Sequence, residues 1–257
     1  ATTLGRLFEP AAAAHPGESG VLYMRYGRRA LEMRLALADL AERSLDLQYF
    51  IWDADVSGHL LADRIIRAAD RGVRVRVLLD DLSIVDRDTA IAQLSAHPNI
   101  EIRAFNPFRP RSLRWTALIS DFSSATRRSH NKVMIADNAI VIVGGRNIAD
   151  HYFGVHGDSN YRDLDTLAVG PVVRDASAVF DDFWNSPFAV PYAAFVDKAP
   201  TRADCDAAIA QMRAKMASEQ LPYPIDEQVD AMKGNLMTLR DALVWAPVRV
   251  LYDRPDK

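Results

Sequence analysis

Leu31, Leu35, Leu37, Leu40 and Ala41 recur at helical spacing through residues 28–43, and Leu45, Leu47, Tyr49 and Ile51 then alternate as strand residues do. A turn, DADVSG, opens a second helical stretch over residues 60–69, apolar at Leu61, Ile65 and Ala68, with Gly72 where a helix end favours glycine. VRVRVLLDD at 73–81 is rich in β-branched residues and ends in paired acids; a helical stretch near 86–96, the breaker HPN and the strand-like IEIRAFN follow. This β-α-β-α-β rhythm predicts an α/β fold with parallel strands joined by right-handed helical crossovers. Ligand sites in such sheets lie beyond the carboxyl ends of the strands, which points to Trp52, Asp53, Asp80 and Asp81, although helix capping accounts for the acids equally well.

After Asn106 the pattern changes to a basic, aromatic-bearing connector, NPFRPRSLRWTALISDFSSATRRS, and then to RRSHNKVMIADNAIVIVGGRNIAD at 127–150. In the latter, alternation places His130 and Lys132 on one side of an extended segment. Asp137-Asn138 suits a tight hairpin turn, and residues 139–143 form the returning strand that brings Gly144, Gly145 and Asn147 back beside His130. An imidazole, an ammonium, glycines that let backbone amides approach and a carboxamide donor form a set suited to a tetrahedral phosphoryl group. YRDLDTLAVGP reads as a further strand, residues 172–185 as an amphipathic helix, and the remainder as a proline-containing helical tail with a strand-like end, APVRVLYDRPDK.

The 257 residues have ordinary globular composition, 49% hydrophobic and 25% charged, which argues against disorder. A net charge of −3 supplies no overall cationic field, so nucleic acid is not an expected partner. The single cysteine, Cys205, excludes a disulfide within the chain and a cysteine-based metal site. No apolar run near the motif approaches the roughly 18 residues needed to cross a bilayer. Residues 101–135, however, carry seven Lys and Arg against two acids, interleaved with Phe105, Phe108, Leu113, Trp115, Leu118 and Ile119. Such a lip either lies against anionic lipid or is an ordinary helix with solvated arginines.

His130-x-Lys132, four residues, Asp137, six residues, Gly144-Gly145-x-Asn147 resembles the HxKxxxxD motif of the phospholipase D superfamily. SLDLQYFIWDADVSGHLLADRIIRAADRGVRVRVLLDD is similar to that family's opening β-α-β, and HPGESG, FNPF, GGRNIADHYFG and DLDTLAVGPVV resemble the C-type cardiolipin synthases of bacteria. The resemblance implies a mixed, largely parallel sheet sandwiched between helices. It also implies cleavage or exchange of phosphodiesters without a metal or other cofactor, with His130 as nucleophile forming a phosphohistidine. Lys132 and Asn147, with Gly144, Gly145 and Arg128 nearby, would bind the phosphoryl group. A carboxylate from RDLD would orient the imidazole, Asp163 first and Asp165 as the alternative. Asp137, the motif acid, is grouped with the catalytic residues, although a hairpin turn suits it better to bracing backbone.

In the family two such motifs share one site, and the other histidines, His15, His59, His97, His151 and His156, are not followed by x-Lys. The second motif is therefore expected either from a longer chain of which this is the amino-terminal half, the favoured alternative, or from a homodimer partner. The expected layout is an extension at 1–27, a lobe at 28–190, a connector at 191–245 and the first strand of a second lobe at 246–257. The implied activity is phosphatidyl transfer of the cardiolipin synthase type on an anionic, phosphatidylglycerol-like lipid, by a protein peripherally bound at the bacterial cell envelope. A phosphodiesterase or nuclease, and an inactive phosphate- or lipid-binding half-domain, remain as alternatives.

Overall fold

A computed structural model describes residues 1–81, 87–108, 128–156, 159–219 and 224–256. Most of the predicted basic lip, 109–127, lies outside these residues. In chain order the elements are α1 (Thr3–Ala13), β1 (Ser19–Met24), α2 (Gly27–Leu40), β2 (Ser44–Tyr49), α3 (Val56–Asp70), β3 (Arg74–Asp80), α4 (Asp88–Leu94) and β4 (Ile100–Phe105). They continue with β5 (Val133–Ala136), β6 (Ile140–Gly144), α5 (Asp150–Phe153), β7 (Asp165–Val169), α6 (Pro171–Trp184) and β8 (Ala189–Pro191). The chain then forms α7 (Arg202–Ser218), α8 (Ile225–Gly234), α9 (Leu236–Asp241) and β9 (Val244–Ala246).

The strands form a single mixed sheet in the order β8-β4-β3-β2-β5-β6-β7-β1-β9. β2, β3 and β4 are parallel, with Leu47, Val77 and Ile102 side by side, as the predicted β-α-β-α-β requires. Parallel pairing ends there, so the sheet is mixed but not largely parallel: β5 enters antiparallel to β2, and β5, β6, β7, β1 and β9 continue antiparallel. Of these antiparallel neighbours only β5 and β6 are joined by a tight turn; longer connections bring the others together, whereas β2, β3 and β4 are linked by the helical crossovers that parallel pairing needs.

Alternation divides the apolar residues between two cores. Leu45, Leu47, Tyr49, Val75, Val77 and Leu79 face one side, buried with Leu31, Leu35, Leu61 and Ile65 of α2 and α3. Leu78, Val133, Ile135, Val141 and Ala168 face the other and pack against Val173, Ala176, Phe180, Phe183 and Trp184 of α6. The first side is roofed more fully: α7 and α8, in the stretch expected to be a connector, add Cys205, Ile209, Ile225 and Val229 to its core. The supposed extension likewise supplies β1, an inner strand paired with both β7 and β9. The final strand lies slightly earlier than expected, and residues 247–254 have no regular secondary structure. Val248 and Val250 in that segment pack on the second core.

The β5–β6 hairpin turns where predicted. Asp137 and Asn138 adopt left-handed backbone angles, φ 54° and 52°, which Asp and Asn tolerate better than most residues. Asp137 is braced further: its carboxylate accepts from the backbone N–H groups of Glu42, Arg43 and Ser44 at 2.8–3.1 Å, tying the hairpin tip to the entrance of β2. Replacing Asp137 with Ala removes these charge-assisted bonds, and we expect a loss of about 1–3 kcal/mol in urea-unfolding stability, with Asp137→Asn less affected. An unchanged unfolding midpoint in the Ala variant would contradict this bracing.

Candidate active site

Two cross-strand rows run beneath a cleft on the α6 side of the sheet and supply part of its floor. Gln48, Val133, Val143 and Thr166 stand abreast in β2, β5, β6 and β7, and Tyr23 of β1 ends their row. One tier away stand Asp46, Ile135, Val141, Ala168 and Val21. His130 and Lys132 lie just before β5, at the upper end of the first row. The cleft, about 340 Å³, is lined by both of them, by Gln48, Thr166 and Gly144, by apolar residues of the sheet and α6, and by residues 248–252.

His130 is exposed and Lys132 is buried. Lys132 Nζ donates to the His130 carbonyl oxygen at 2.8 Å and stands 3.3 Å from its Nδ1, so the two side chains meet as alternation predicted. The Phe50 ring packs beside both, 4.9 Å from the imidazole centroid and 5.5 Å from Nζ. Partial desolvation by its surroundings, and then the neighbouring Lys132 charge, lower the His130 pKa from its ordinary value, which favours the neutral imidazole. Burial pulls Lys132 down to about 8, against the opposing fields of Asp163 and Asp80. Lys132 is therefore a cation at pH 7 that loses its charge as the pH rises through 8.

The approach to His130 is fixed from below. Asp80, buried at the end of β3, accepts from Ser129 N at 3.0 Å and lies 3.4 Å from the Arg128 guanidinium, while Gln48 Nε2 donates to Ser129 Oγ at 2.6 Å. Arg128 also donates to the Asn106 carbonyl and lies over the Phe108 ring, 3.9 Å from its centroid. It therefore braces the segment and does not line the cleft, contrary to the expected phosphoryl contact. Asp81 accepts from Phe108 N at 2.9 Å. Trp52 and Asp53 open onto a separate apolar cavity of about 380 Å³ on the opposite face of the sheet, which His130 does not line.

Several other expected contacts are redirected. Asn147 is buried, with its Oδ1 accepting from Ile51 N and its Nδ2 donating to the Tyr152 hydroxyl, each at 3.0 Å, so it fastens the end of β2 to α5 instead of lining the cleft. The Gly144 and Gly145 amides donate to the carbonyls of Lys132 and Leu164 and are not open to a ligand. These glycines serve another purpose: a Cβ at Gly144 would strike the Asp165 carboxylate, and one at Gly145 would strike that of Asp163. Asp137 sits at the far end of β5, roughly 23 Å of extended chain from His130, and takes no part in the cleft.

Asp165 is fully buried between Arg34 at 2.9 Å and Arg146 at 3.3 Å, so this alternative for orienting His130 is already engaged. Asp163 is half-buried, and its carboxylate accepts from Leu164 N. Its field reaches Lys132, but among the described residues no carboxylate bonds to the imidazole. With Lys132 donating to Nδ1, the ring hydrogen lies on Nε2. The described residues contain no group of three or more metal-ligating side chains, and no helix among them is long and apolar enough to cross a membrane.

Residues 35–184 match the family described as "Cardiolipin synthase, PLD-like domain". The chain belongs to this family. It is 39% identical to cardiolipin synthase C of Escherichia coli K12 over 96% of its own length and 52% of the relative's, and so spans about half of that protein. The major cardiolipin synthase of Bacillus subtilis 168 is 32% identical over 62% of the chain and 32% of its own length. Among solved structures, a phosphatidylserine synthase of Haemophilus influenzae Rd KW20 superposes with a TM-score of 0.52 at 13% identity, covering 84% of this chain and 48% of that one. NucT of Helicobacter pylori gives 0.50 at 16%, covering 67% and 98%. At these identities the two structures establish the phospholipase D-like fold and nothing further.

Sequence reasoning missed Phe50, Gln48, Thr166 and residues 248–252 as parts of this phospholipase D-like cleft. Gln48 carried a signal, being with Asp46 one of two polar residues in the otherwise apolar run LDLQY. Two measurements probe the site. Asp165→Asn leaves two buried arginines without their carboxylate and should cost about 3–5 kcal/mol in unfolding stability, whereas half-exposed Asp163→Asn should cost under about 1 kcal/mol. The Lys132 amine should titrate by NMR with a midpoint near 8; a midpoint at the ordinary lysine value would remove the burial argument.

Proposed function

We propose that this lobe carries half of a phospholipase D-type phosphatidyltransferase, exchanging a phosphatidyl group between phospholipid headgroups through a phosphohistidine on His130. The observation that carries the reading is a neutral imidazole and a buried ammonium, 3.3 Å apart, above an apolar floor. Nucleophile and cation address a phosphodiester, and Val133, Val141, Val143, Ala168 and Val179 offer a surface suited to the glyceride part of a lipid. That floor favours a lipid diester over a nucleic-acid strand, whose binding relies on basic tracks and stacking aromatics.

His130 attacks phosphorus, the P–O bond to the leaving alcohol breaks, and the departing oxygen takes a proton from a second imidazole. In the second displacement an acceptor hydroxyl attacks, the P–N bond breaks and the proton returns to that imidazole; water in place of the alcohol gives hydrolysis. Lys132 balances charge on the phosphoryl oxygens in both transition states. Attack by Nε2 requires the ring hydrogen to move to Nδ1, and Asp163, whose field already reaches Lys132, is the proposed acceptor for it. The second imidazole comes from a matching motif, either further along a longer chain or in a second copy. The substrate class places the protein at the membrane surface as a peripheral enzyme of the bacterial envelope.

The test uses the full-length natural protein with labelled phosphatidylglycerol, with and without phosphatidylethanolamine. His130→Ala should lower turnover by roughly 10³-fold or more, and rapid quenching of the unsubstituted enzyme should trap label on an imidazole. Undiminished turnover in the variant would exclude His130 from the mechanism.

A further inference from the structure

The segment after β9 crosses the cleft as a strap. Val248 and Val250 pack on the second core, and the Tyr252 hydroxyl donates to Asp182 Oδ2 at 3.1 Å, which moors the strap to α6. Between these anchors the exposed side is Arg249 and Leu251, the latter 94% accessible. Residues 248–252 line the same cleft as His130 and Lys132.

Arg249 is the one arginine among the described residues lining the cleft. It makes no ion pair or hydrogen bond with any of the described residues, whereas Arg34, Arg76, Arg103, Arg128 and Arg146 are all paired with carboxylates. Among the described residues lining the cleft there is no Asp or Glu. Lys132 stands beside the nucleophile and suits the phosphoryl group that reacts. A second, unpaired cation on the rim of a 340 Å³ cleft answers a second anion, held apart from the first.

We propose that Arg249 binds the phosphate of the acceptor lipid, and that the strap thereby selects a phospholipid over water as the second substrate. This rests on the phosphatidyl-transfer reading and adds to it an acceptor site. When a phosphate-bearing alcohol is held at Arg249, its hydroxyl oxygen forms the new P–O bond as the P–N bond to His130 breaks, with its proton passing to the second imidazole. Leu251 beside it presents an apolar side chain to the same amphiphile. Water and glycerol carry no phosphate and gain nothing from the contact.

The experiment compares two acceptors in the full-length protein, with phosphatidylethanolamine labelled in its phosphatidyl part as donor and either phosphatidylglycerol, whose headgroup bears free hydroxyls, or glycerol as acceptor. Arg249→Ala should raise KM for the phospholipid acceptor about tenfold relative to KM for glycerol, the scale of one charge-assisted contact, and lower the ratio of transfer to hydrolysis accordingly. Arg249→Lys should restore part of the difference. Because Arg249 is exposed and bonds to none of the described residues, its loss should leave the unfolding midpoint in place, so a misfolded variant is recognised at once. An equal shift for both acceptors, or no shift, overturns the acceptor site while leaving phosphatidyl transfer intact. Absence of transfer to either acceptor by the unsubstituted protein sinks the transferase reading itself.

Discussion

Strand β5 enters the sheet antiparallel between β2 and β6, and carboxylates hold its register at both ends. Asp80 binds Ser129 N at the approach to the strand, and Asp137 gathers the amides of residues 42–44 beyond it. Side chains in a strand alternate, so a slip of one residue would turn Val133 and Ile135 out of the second core and carry His130 and Lys132 away from the cleft. The pairing of His130 with Lys132 thus follows from how β5 is clamped, more than from any contact the two side chains make by themselves.

The same economy explains the buried charges. Arg34, Arg146 and Asp165 form a fully buried group beneath Gly144 and Gly145, with Arg146 also donating to the carbonyls of Met24, Arg25 and Asp163. Buried charge is costly unless paired, so the group holds β7 and the loop carrying Asp163 against the hairpin. Glycine is required above it because the two carboxylates occupy the space a side chain would fill. The conspicuous Gly-Gly is a packing requirement that indirectly shapes the cleft.

Asymmetry between the sheet faces decides where chemistry can occur. One face is roofed by α2, α3, α7 and α8, whereas the other is covered by α6 and by the strap at 248–252. A groove therefore remains above β5, β6 and β7, with an apolar floor and polar groups at its edge. That arrangement is the physical basis for proposing an amphiphilic diester as the occupant, with the strap at its edge.

Local pattern was enough to reveal the parallel β-α-β-α-β, the Asp137-Asn138 hairpin and the shared side of His130 and Lys132, because helical and strand periodicities, turn chemistry and alternation act within a few residues. The motif spacing carried the family resemblance as well. Long-range geometry decided the rest: the Asn147 carboxamide bonds to the Ile51 amide, Arg128 to Asp80, and Asp165 to two arginines, all partners far away in sequence or across an intervening loop. A donor or acid near a motif has no role until its hydrogen-bond partners are known, and only folding assigns them. For the same reason Arg249, over a hundred residues after His130, could join the cleft only when the chain returned across the open face of the sheet.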